Sequence, residues 1–228
     1  MSSVVAIYRS ALGKKVVMAA SGLLLVGFVL GHLAGNLKVF LGAETFNGYA
    51  EWLREIGHPL LPHNGALWIA RVVLLAAVLV HIQSAWSLTL LNRKARPQRY
   101  HTLTPQQATY ASRTMRWGGV IVLLFVLYHL AHFTWGLSWA HPDFEAGDPY
   151  HNFVVGFRVW WVVAFYVVAQ AALGLHLYHG FWSAFQTLGW DHRLIRGSRR
   201  PVAAAIAVVV SLGNIALAVS VLMGWVRL

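Results

Sequence analysis

The chain contains no cysteine and little charge. Only 11% of its 228 residues are charged, and seven acidic residues stand against 18 lysines and arginines. The lack of cysteine excludes disulfides, cysteine-ligated iron–sulfur clusters and haem attached through a C-x-x-C-H motif on this chain. A soluble domain usually carries about a quarter charged residues, so this composition is not that of an ordinary globular protein.

Long apolar runs dominate the sequence, which is 58% hydrophobic with a mean hydropathy of +0.58. Five runs reach the roughly 20 residues that cross a bilayer, without the alternation of barrel strands. They lie near Val16–Leu37, Ala66–Leu91, Trp117–Trp139, Phe153–Phe185 and Val202–Val226. The fourth run exceeds the bilayer thickness, so we expect it to tilt or to project into water. The sequence predicts an all-α, polytopic membrane protein with residues 1–228 as one transmembrane domain.

Basic residues are concentrated on one predicted side of the membrane. The N-terminus, the loop between spans two and three and the loop between spans four and five hold 13 of the 18 lysines and arginines. The opposite side holds six of the seven acids. The positive-inside rule then predicts a cytoplasmic N-terminus and an outer C-terminus. The basic loops are too short to form a nucleic-acid-binding face.

Four of the twelve histidines lie well inside apolar runs, one in each of the first four spans. At about 1.5 Å per residue, His32 and His129 lie roughly 9 to 15 Å from the predicted outer face. On the same scale, His81 and His176 lie roughly 15 to 27 Å from that face. The histidines therefore form a shallow pair on spans one and three and a deeper pair on spans two and four.

This pairing predicts two haems in a four-helix bundle, each held by one neutral imidazole from each of two helices. Glycines in spans one and three would leave room for the macrocycles, although such stripes often serve helix packing alone. These glycines are Gly22, Gly27, Gly31, Gly35, Gly118 and Gly119. His132 and His179 lie one helical turn beyond His129 and His176, and spacing alone leaves open which member of each pair is the ligand.

Four motifs carry a family resemblance through their order and spacing. They are Ser21-Gly22 through Gly31-His32-Leu33, His81 at 49 residues after His32, Arg116 through Leu124-Phe125-Val126-Leu127-Tyr128-His129, and His176 through Gly180-Phe181-Trp182-Ser183. Over nearly its whole length, the chain resembles the single-chain, five-helix, di-haem cytochrome b anchor of succinate:quinone oxidoreductases, a family that includes quinol:fumarate reductases.

The resemblance implies two b-type haems, a distal one ligated by His32 and His129 and a proximal one ligated by His81 and His176. It also implies a flavoprotein subunit and an iron–sulfur subunit on the cytoplasmic face of a prokaryotic inner membrane. Electrons would pass through the haems to or from a membrane quinone, usually menaquinone. The chain would be the quinone-reactive subunit of succinate dehydrogenase, with no dicarboxylate site of its own. The missing cysteine agrees with this, because flavin and clusters would reside on the partners.

Quinone chemistry near the distal haem needs a titratable group at the membrane edge. The first outer loop offers Glu51, Glu55, His58 and His63, and the resemblance places the family's carboxylate nearest Glu55. Gly174 stands where the fumarate-reductase branch carries a glutamate for compensating proton transfer. This departure favours succinate oxidation.

Haem propionates need cationic or hydrogen-bonding partners. For the proximal haem the candidates are Arg113, Arg116, Ser21, Trp117 and His179. The two arginines could equally extend to lipid phosphates. The basic loops would suit both a water-soluble partner and anionic lipid, although orientation alone accounts for them.

Three other interpretations use the same residues. The chain could be the cytochrome b of a hydrogenase or formate dehydrogenase, which takes electrons from outer-face partners. It could be a haem-free proton relay or transporter built on the histidines, although no Asp or Glu lies within any span. It could also be a haem-free structural membrane protein, with the depth pairing a coincidence.

Overall fold

A computed structural model describes residues 10–95, 110–190 and 197–228, without the side chains of 110–114. This part of the chain is helical and contains no strand. The α-helices are α1 Ala11–Asn36, α2 Ala43–Glu55, α3 Gly65–Ala95, α4 Tyr110–Phe133, α5 Pro149–Phe157, α6 Trp160–Thr187 and α7 Arg199–Leu222, and a 3-10 helix, Leu37–Leu41, continues α1.

Five of these helices are long and apolar enough to cross a membrane: α1 with its 3-10 extension, α3, α4 from Met115 onward, α6 and α7. The prediction of an all-α, multi-pass membrane protein with five spanning helices is therefore confirmed. Large apolar side chains such as Leu79, Leu124 and Val168 are exposed on these helices. In a bilayer, these outward faces contact lipid.

Local signals fix the ends of the helices. The Ser10 hydroxyl accepts a hydrogen bond from the backbone N–H of Gly13 at 2.9 Å and so caps the start of α1. At the other end, Gly42 has a φ of +91°, a conformation that a residue with a Cβ rarely adopts, and it separates the 3-10 helix from α2. Trp160 and Trp161 are exposed at the start of α6, where indole rings suit the membrane interface.

The fourth predicted span was wrong in its length, because Phe153–Phe185 covers two helices. Helix α5 ends at Phe157, Val159 is extended with φ −88° and ψ 108°, and α6 starts at Trp160. The residues before Val159 are not part of the spanning helix. They fold as a short helix, started by Asp148 and Pro149, that is mostly buried against its neighbours.

Two further boundaries differ from the predictions. Helix α4 ends at Phe133, six residues before the predicted Trp139, and Gly136 follows with a φ of +56°. The loop between the first two spanning helices contains helix α2, which is amphipathic: charged residues such as Glu44, Glu51 and Arg54 interrupt its apolar positions. Because α2 contains no long apolar run, the hydropathy of the sequence does not predict it.

Helix packing is tightest on one side of the bundle. Helix α6 packs against α7, α4 and α1, and α1 also packs against α3. The main hydrophobic core lies between α4, α5, α6 and α7 and is rich in aromatic rings, including Phe125, Phe157 and Tyr166. A smaller core around Leu177 and Val210 joins α6 to α7.

A polar network ties α2 to α5 at one end of the bundle. One Asp148 carboxylate oxygen accepts hydrogen bonds from the backbone N–H of His151 and from the Asn47 amide, both at 2.9 Å. The Asn47 amide oxygen accepts in turn from the backbone N–H of Tyr150 at 2.9 Å. The backbone N–H of His151, and next the Asn47 amide, lower the pKa of Asp148, because both stabilise its ionised form.

We predict that Asp148→Ala destabilises the detergent-solubilised protein by about 1 kcal/mol, the usual cost of losing a helix N-cap. Because the pKa of Asp148 is lower in the folded state, its contribution is full above the ordinary value of 3.8 and is lost as the pH falls through the lower folded value. Thermal denaturation at pH 7 and at decreasing pH measures both effects.

Asp148→Asn is the matched control, because Asn caps equally well. The Asn variant should be as stable as the wild type at pH 7, but its stability should no longer change with the ionisation of residue 148 as the pH falls. Equal melting temperatures for the Ala and Asn variants would contradict the capping role.

Candidate functional site

The structure brings together His32 of α1, which is exposed, and His129 of α4, which is half-buried. Their ring centroids are 5.8 Å apart and the rings are nearly perpendicular, at 88°. Phe28 stacks on the His32 ring at 5.4 Å but does not bury the His32 residue. The Phe125 ring lies 5.8 Å from the ring of His129, the other member of the pair. We call His32 and His129 the shallow pair.

His81 of α3 and His176 of α6 form a second pair, the deep pair. Their ring centroids are 6.2 Å apart at an interplanar angle of 63°. A glycine of another helix lies against each ring. A Cβ at Gly22 would lie 3.2 Å from His81 Cε1, and one at Gly119 would lie 3.6 Å from His176 Cε1. A Cβ at Gly22 would crowd the His81 ring, whereas one at Gly119 would make ordinary van der Waals contact with the His176 ring.

The two pairs are stacked along the bundle axis. On α1, Gly22 marks the level of the deep pair and His32 that of the shallow pair, ten residues apart or about 15 Å. On α6, Tyr166 contacts His129 and lies ten residues from His176, again about 15 Å. Two helices thus give the same separation between levels, and the pairing agrees with the predicted depths.

Each pair spans helices that are not packed closely together. Among the described residues, neither α1 with α4 nor α3 with α6 belongs to the closely packed helix pairs. No atom lies within 4 Å of the position that a Cβ would take at Gly27 or Gly31 of α1. The imidazoles therefore face one another where the backbones stay apart.

Hydrogen bonds to the Nδ1 atoms leave Nε2 of two histidines available. Nδ1 of His81 lies 3.1 Å from the Met18 carbonyl oxygen, which can only accept, so Nδ1 carries the proton. Nδ1 of His129 lies 3.2 Å from the Tyr166 hydroxyl. Nδ1 of His176 is buried and has no hydrogen-bond partner in the described part of the chain. Such contacts fix the tautomer of a metal-ligating histidine.

Each pair has the spacing of two imidazoles that share one metal. A metal–imidazole bond of about 2.0 Å, with the ring centre ~1.1 Å behind the nitrogen, puts the two ring centres about 6 Å apart. The observed separations are 5.8 and 6.2 Å. Two neutral imidazoles facing across separated helices, at two levels, are a donor set that fits two b-type haems.

His132 and His179 lie outside the two pairs. His132 is buried, with its Nδ1 3.0 Å from the Tyr166 hydroxyl and its ring 4.1 Å from that of Phe133. His179 is half-buried, and its ring lies 5.6 Å from that of Trp182. His132 lies against His141 of the loop after α4, at 5.0 Å, and not against a histidine of another spanning helix. The geometry thus favours His129 and His176 as the members that pair with a histidine of another spanning helix, a choice that spacing alone left open.

The predicted propionate partners are dispersed. The Ser21 hydroxyl donates to the Val17 carbonyl at 2.8 Å and lies 3.3 Å from Nδ1 of His81, so it sits beside the ring. Arg116 and Trp117 are exposed at the start of the spanning part of α4. The side chain of Arg113 lies outside the described residues. Ser21 is therefore best placed to act on His81 itself.

Glu55 lies at the end of α2, exposed, with Oε1 2.6 Å from Nδ1 of His63. Glu51, Glu55 and His63 each offer one ligand atom within 4.8 Å of the others, so the three could hold a metal ion. Exposed acidic clusters of this kind are common without an ion, and the contact with His63 gives Glu55 a hydrogen-bonded proton partner instead.

Gly174 of α6 lies against Ser211 and Ala207 of α7. The Ser211 hydroxyl occupies the space that a Cβ at position 174 would need, and it donates to the Gln170 carbonyl at 3.0 Å. A side chain here would have to push Ser211 aside. The glutamate of the fumarate-reductase branch, which the family resemblance aligns with this position, therefore has no space in this packing.

Sequence reasoning missed Tyr166, whose buried hydroxyl lies within hydrogen-bonding distance of both His129 and His132. A signal was present, because a phenol hydroxyl in the middle of an apolar run must find a partner inside the protein. Its partners lie on another helix, so the sequence could not identify them.

No family model, curated protein or solved structure gives a significant match to this chain.

We predict that Gly174→Ala destabilises the protein by about 1–3 kcal/mol, the usual cost of overpacking a filled site. Thermal denaturation in detergent is the measurement. In the double variant Gly174→Ala/Ser211→Ala, the nearest remaining atom of residue 211 would be its Cβ, at 3.4 Å, so much of the loss should be recovered. Ser211→Ala alone is the control. Additive losses in the double variant would contradict direct contact between these two positions.

Proposed function

We propose that this chain is the membrane anchor of a succinate:quinone oxidoreductase and carries electrons through two b-type haems to a membrane quinone. The observation that supports this most is the stacking of two cross-helix histidine pairs, with ring centroids 5.8 and 6.2 Å apart, at two levels of one bundle. The motif order of the sequence, from Ser21 to Ser183, agrees with that family.

His32 and His129 would hold the distal haem, and His81 and His176 the proximal one. Haem iron supplies one-electron transfer. The chain supplies neutral nitrogen ligands, with Met18 and Tyr166 as the hydrogen-bond partners that orient His81 and His129. Phe125 and Tyr166 of the aromatic core pack against the His129 ring. Separate levels would let electrons cross the membrane in two steps.

The remaining parts of the complex are those that the family resemblance implies, and the charge distribution and composition agree with them. The flavin and the iron–sulfur clusters would lie on two partner subunits, bound at the cytoplasmic side that the basic segments mark in a prokaryotic inner membrane. Menaquinone is the favoured acceptor. Glu55, hydrogen-bonded to His63, is the candidate for quinone protonation, with Arg113, Arg116 and His179 as candidates for propionate contacts. Among these assignments, Glu55 has the least support, because it is exposed.

The electron donor distinguishes this proposal from a hydrogenase or formate-dehydrogenase cytochrome b. We predict that succinate reduces the haems of the complex purified through a tag on this chain, and that a menaquinone analogue reoxidises them. Absorbance of the reduced haem bands measures both steps. Malonate, a competitive dicarboxylate, should block reduction by succinate. Reduction by hydrogen or formate, with no response to succinate, would support the other class of cytochrome.

We predict that His81→Leu and His129→Leu each lose one haem of two, because each variant removes one axial ligand. A pyridine haemochrome count per chain on the purified complex is the measurement. His179→Leu is the matched control, because it removes a candidate propionate contact but no axial nitrogen: its ring faces Trp182 and no histidine pair, so the variant should retain both haems. Retention of two haems in both ligand variants would contradict the assignment.

A further inference from the structure

We propose that Tyr166 is a positioning residue that orients the His129 ring and tunes the potential of the distal haem, with His132 as the acceptor that fixes the direction of its hydroxyl. This inference rests on the proposed function. It also gives a role to His132, which the sequence left undecided between ligand and neighbour.

The three side chains form one buried hydrogen-bonded chain. The Tyr166 hydroxyl lies 3.2 Å from Nδ1 of His129 and 3.0 Å from Nδ1 of His132. Tyr166 is 6% exposed and His132 is 1% exposed, so water does not substitute for either contact. The hydroxyl comes from α6 and both histidines lie on α4, which means that helix packing sets the geometry.

The protons in this chain have one consistent arrangement when Nε2 of His129 binds iron. Nδ1 of His129 must then carry the proton and donate it to the Tyr166 oxygen. The hydroxyl hydrogen must point elsewhere, and Nδ1 of His132 is the acceptor in range. His132 is consequently neutral, with its proton on Nε2.

His132 is enclosed in a way that suits this role and excludes ligation. Its ring packs against Phe133 at 4.1 Å and against His141 at 5.0 Å. Its Nε2 faces the backbone of α5, where a Cβ at Gly156 would lie only 2.8 Å away. Nδ1 of His132 is thus hydrogen-bonded to Tyr166, and its Nε2 is covered by α5.

When an axial histidine binds iron through Nε2, a hydrogen bond donated by its Nδ1–H makes the ligand more electron-rich. A more electron-rich ligand stabilises ferric over ferrous iron, so the Tyr166 contact lowers the potential of the distal haem. Tyr166→Phe removes this contact and leaves the ring in place. The distal potential should therefore rise, while the proximal potential, set about 15 Å away on α6, should not change.

The test is a redox titration of the purified complex, with optical detection of the two haem components. For Tyr166→Phe we expect the ratio of oxidised to reduced distal haem at a fixed applied potential to fall about threefold, an upward shift of about 28 mV at about 59 mV per decade. Tyr128→Phe is the matched control, since the Tyr128 ring also packs against His132 and Tyr166 but its buried hydroxyl has no hydrogen-bond partner in the described part of the chain. Its two potentials should equal those of the wild type.

His132→Leu keeps the test decisive if Tyr166→Phe does not fold. We expect it to retain two haems and to show a smaller upward shift of the distal potential alone. Loss of one haem in His132→Leu, with two retained in His129→Leu, would make His132 the ligand and overturn the inference. An unchanged distal potential in Tyr166→Phe, or an equal shift in Tyr128→Phe, would overturn it as well. A wild-type complex without haem would instead refute the proposed function.

Discussion

An imidazole inside a membrane must find partners for both of its ring nitrogens within the protein, because hydrocarbon supplies none. In this bundle His81 uses the Met18 carbonyl and His129 uses the Tyr166 hydroxyl, each through Nδ1. Nε2 of each ring is then left available, and each ring lies next to a histidine of another helix, at centroid distances of 6.2 and 5.8 Å. The proposed haem sites, the separation of the helices that carry them and the role of Tyr166 all depend on this division between the two nitrogens.

The bundle is packed asymmetrically: α6 packs closely against α7, whereas α1 and α4, which carry the shallow pair, do not pack closely together. Helices α6 and α7 approach closely at Gly174, and aromatic side chains join α4, α5 and α6. This closely packed side includes Tyr166 and His176 of α6. On the other side, α1 presents Gly27 and Gly31 to open space and faces α4 only through side chains. A large planar group needs such a combination of fixed ligands and unfilled volume.

The sequence predicted the helical class, the five spans and the division of four histidines into two depths, because hydropathy and rise per residue are properties of single helices. It missed α2 and α5, since neither is long and uniformly apolar, and it merged α5 with α6. It also could not choose between His129 and His132. That choice depends on Tyr166 and Gly156, which reach α4 from other helices, and contacts between helices are not encoded in the spacing along one of them.

The most direct measurement is a dithionite-reduced-minus-oxidised spectrum of the purified wild-type complex, combined with a pyridine haemochrome count per chain. We expect b-type bands and two haems per chain, one for each histidine pair. A complex purified with its native partners that shows no haem absorbance would contradict the cytochrome assignment and leave the two pairs as hydrogen-bonding residues of a membrane protein with another function.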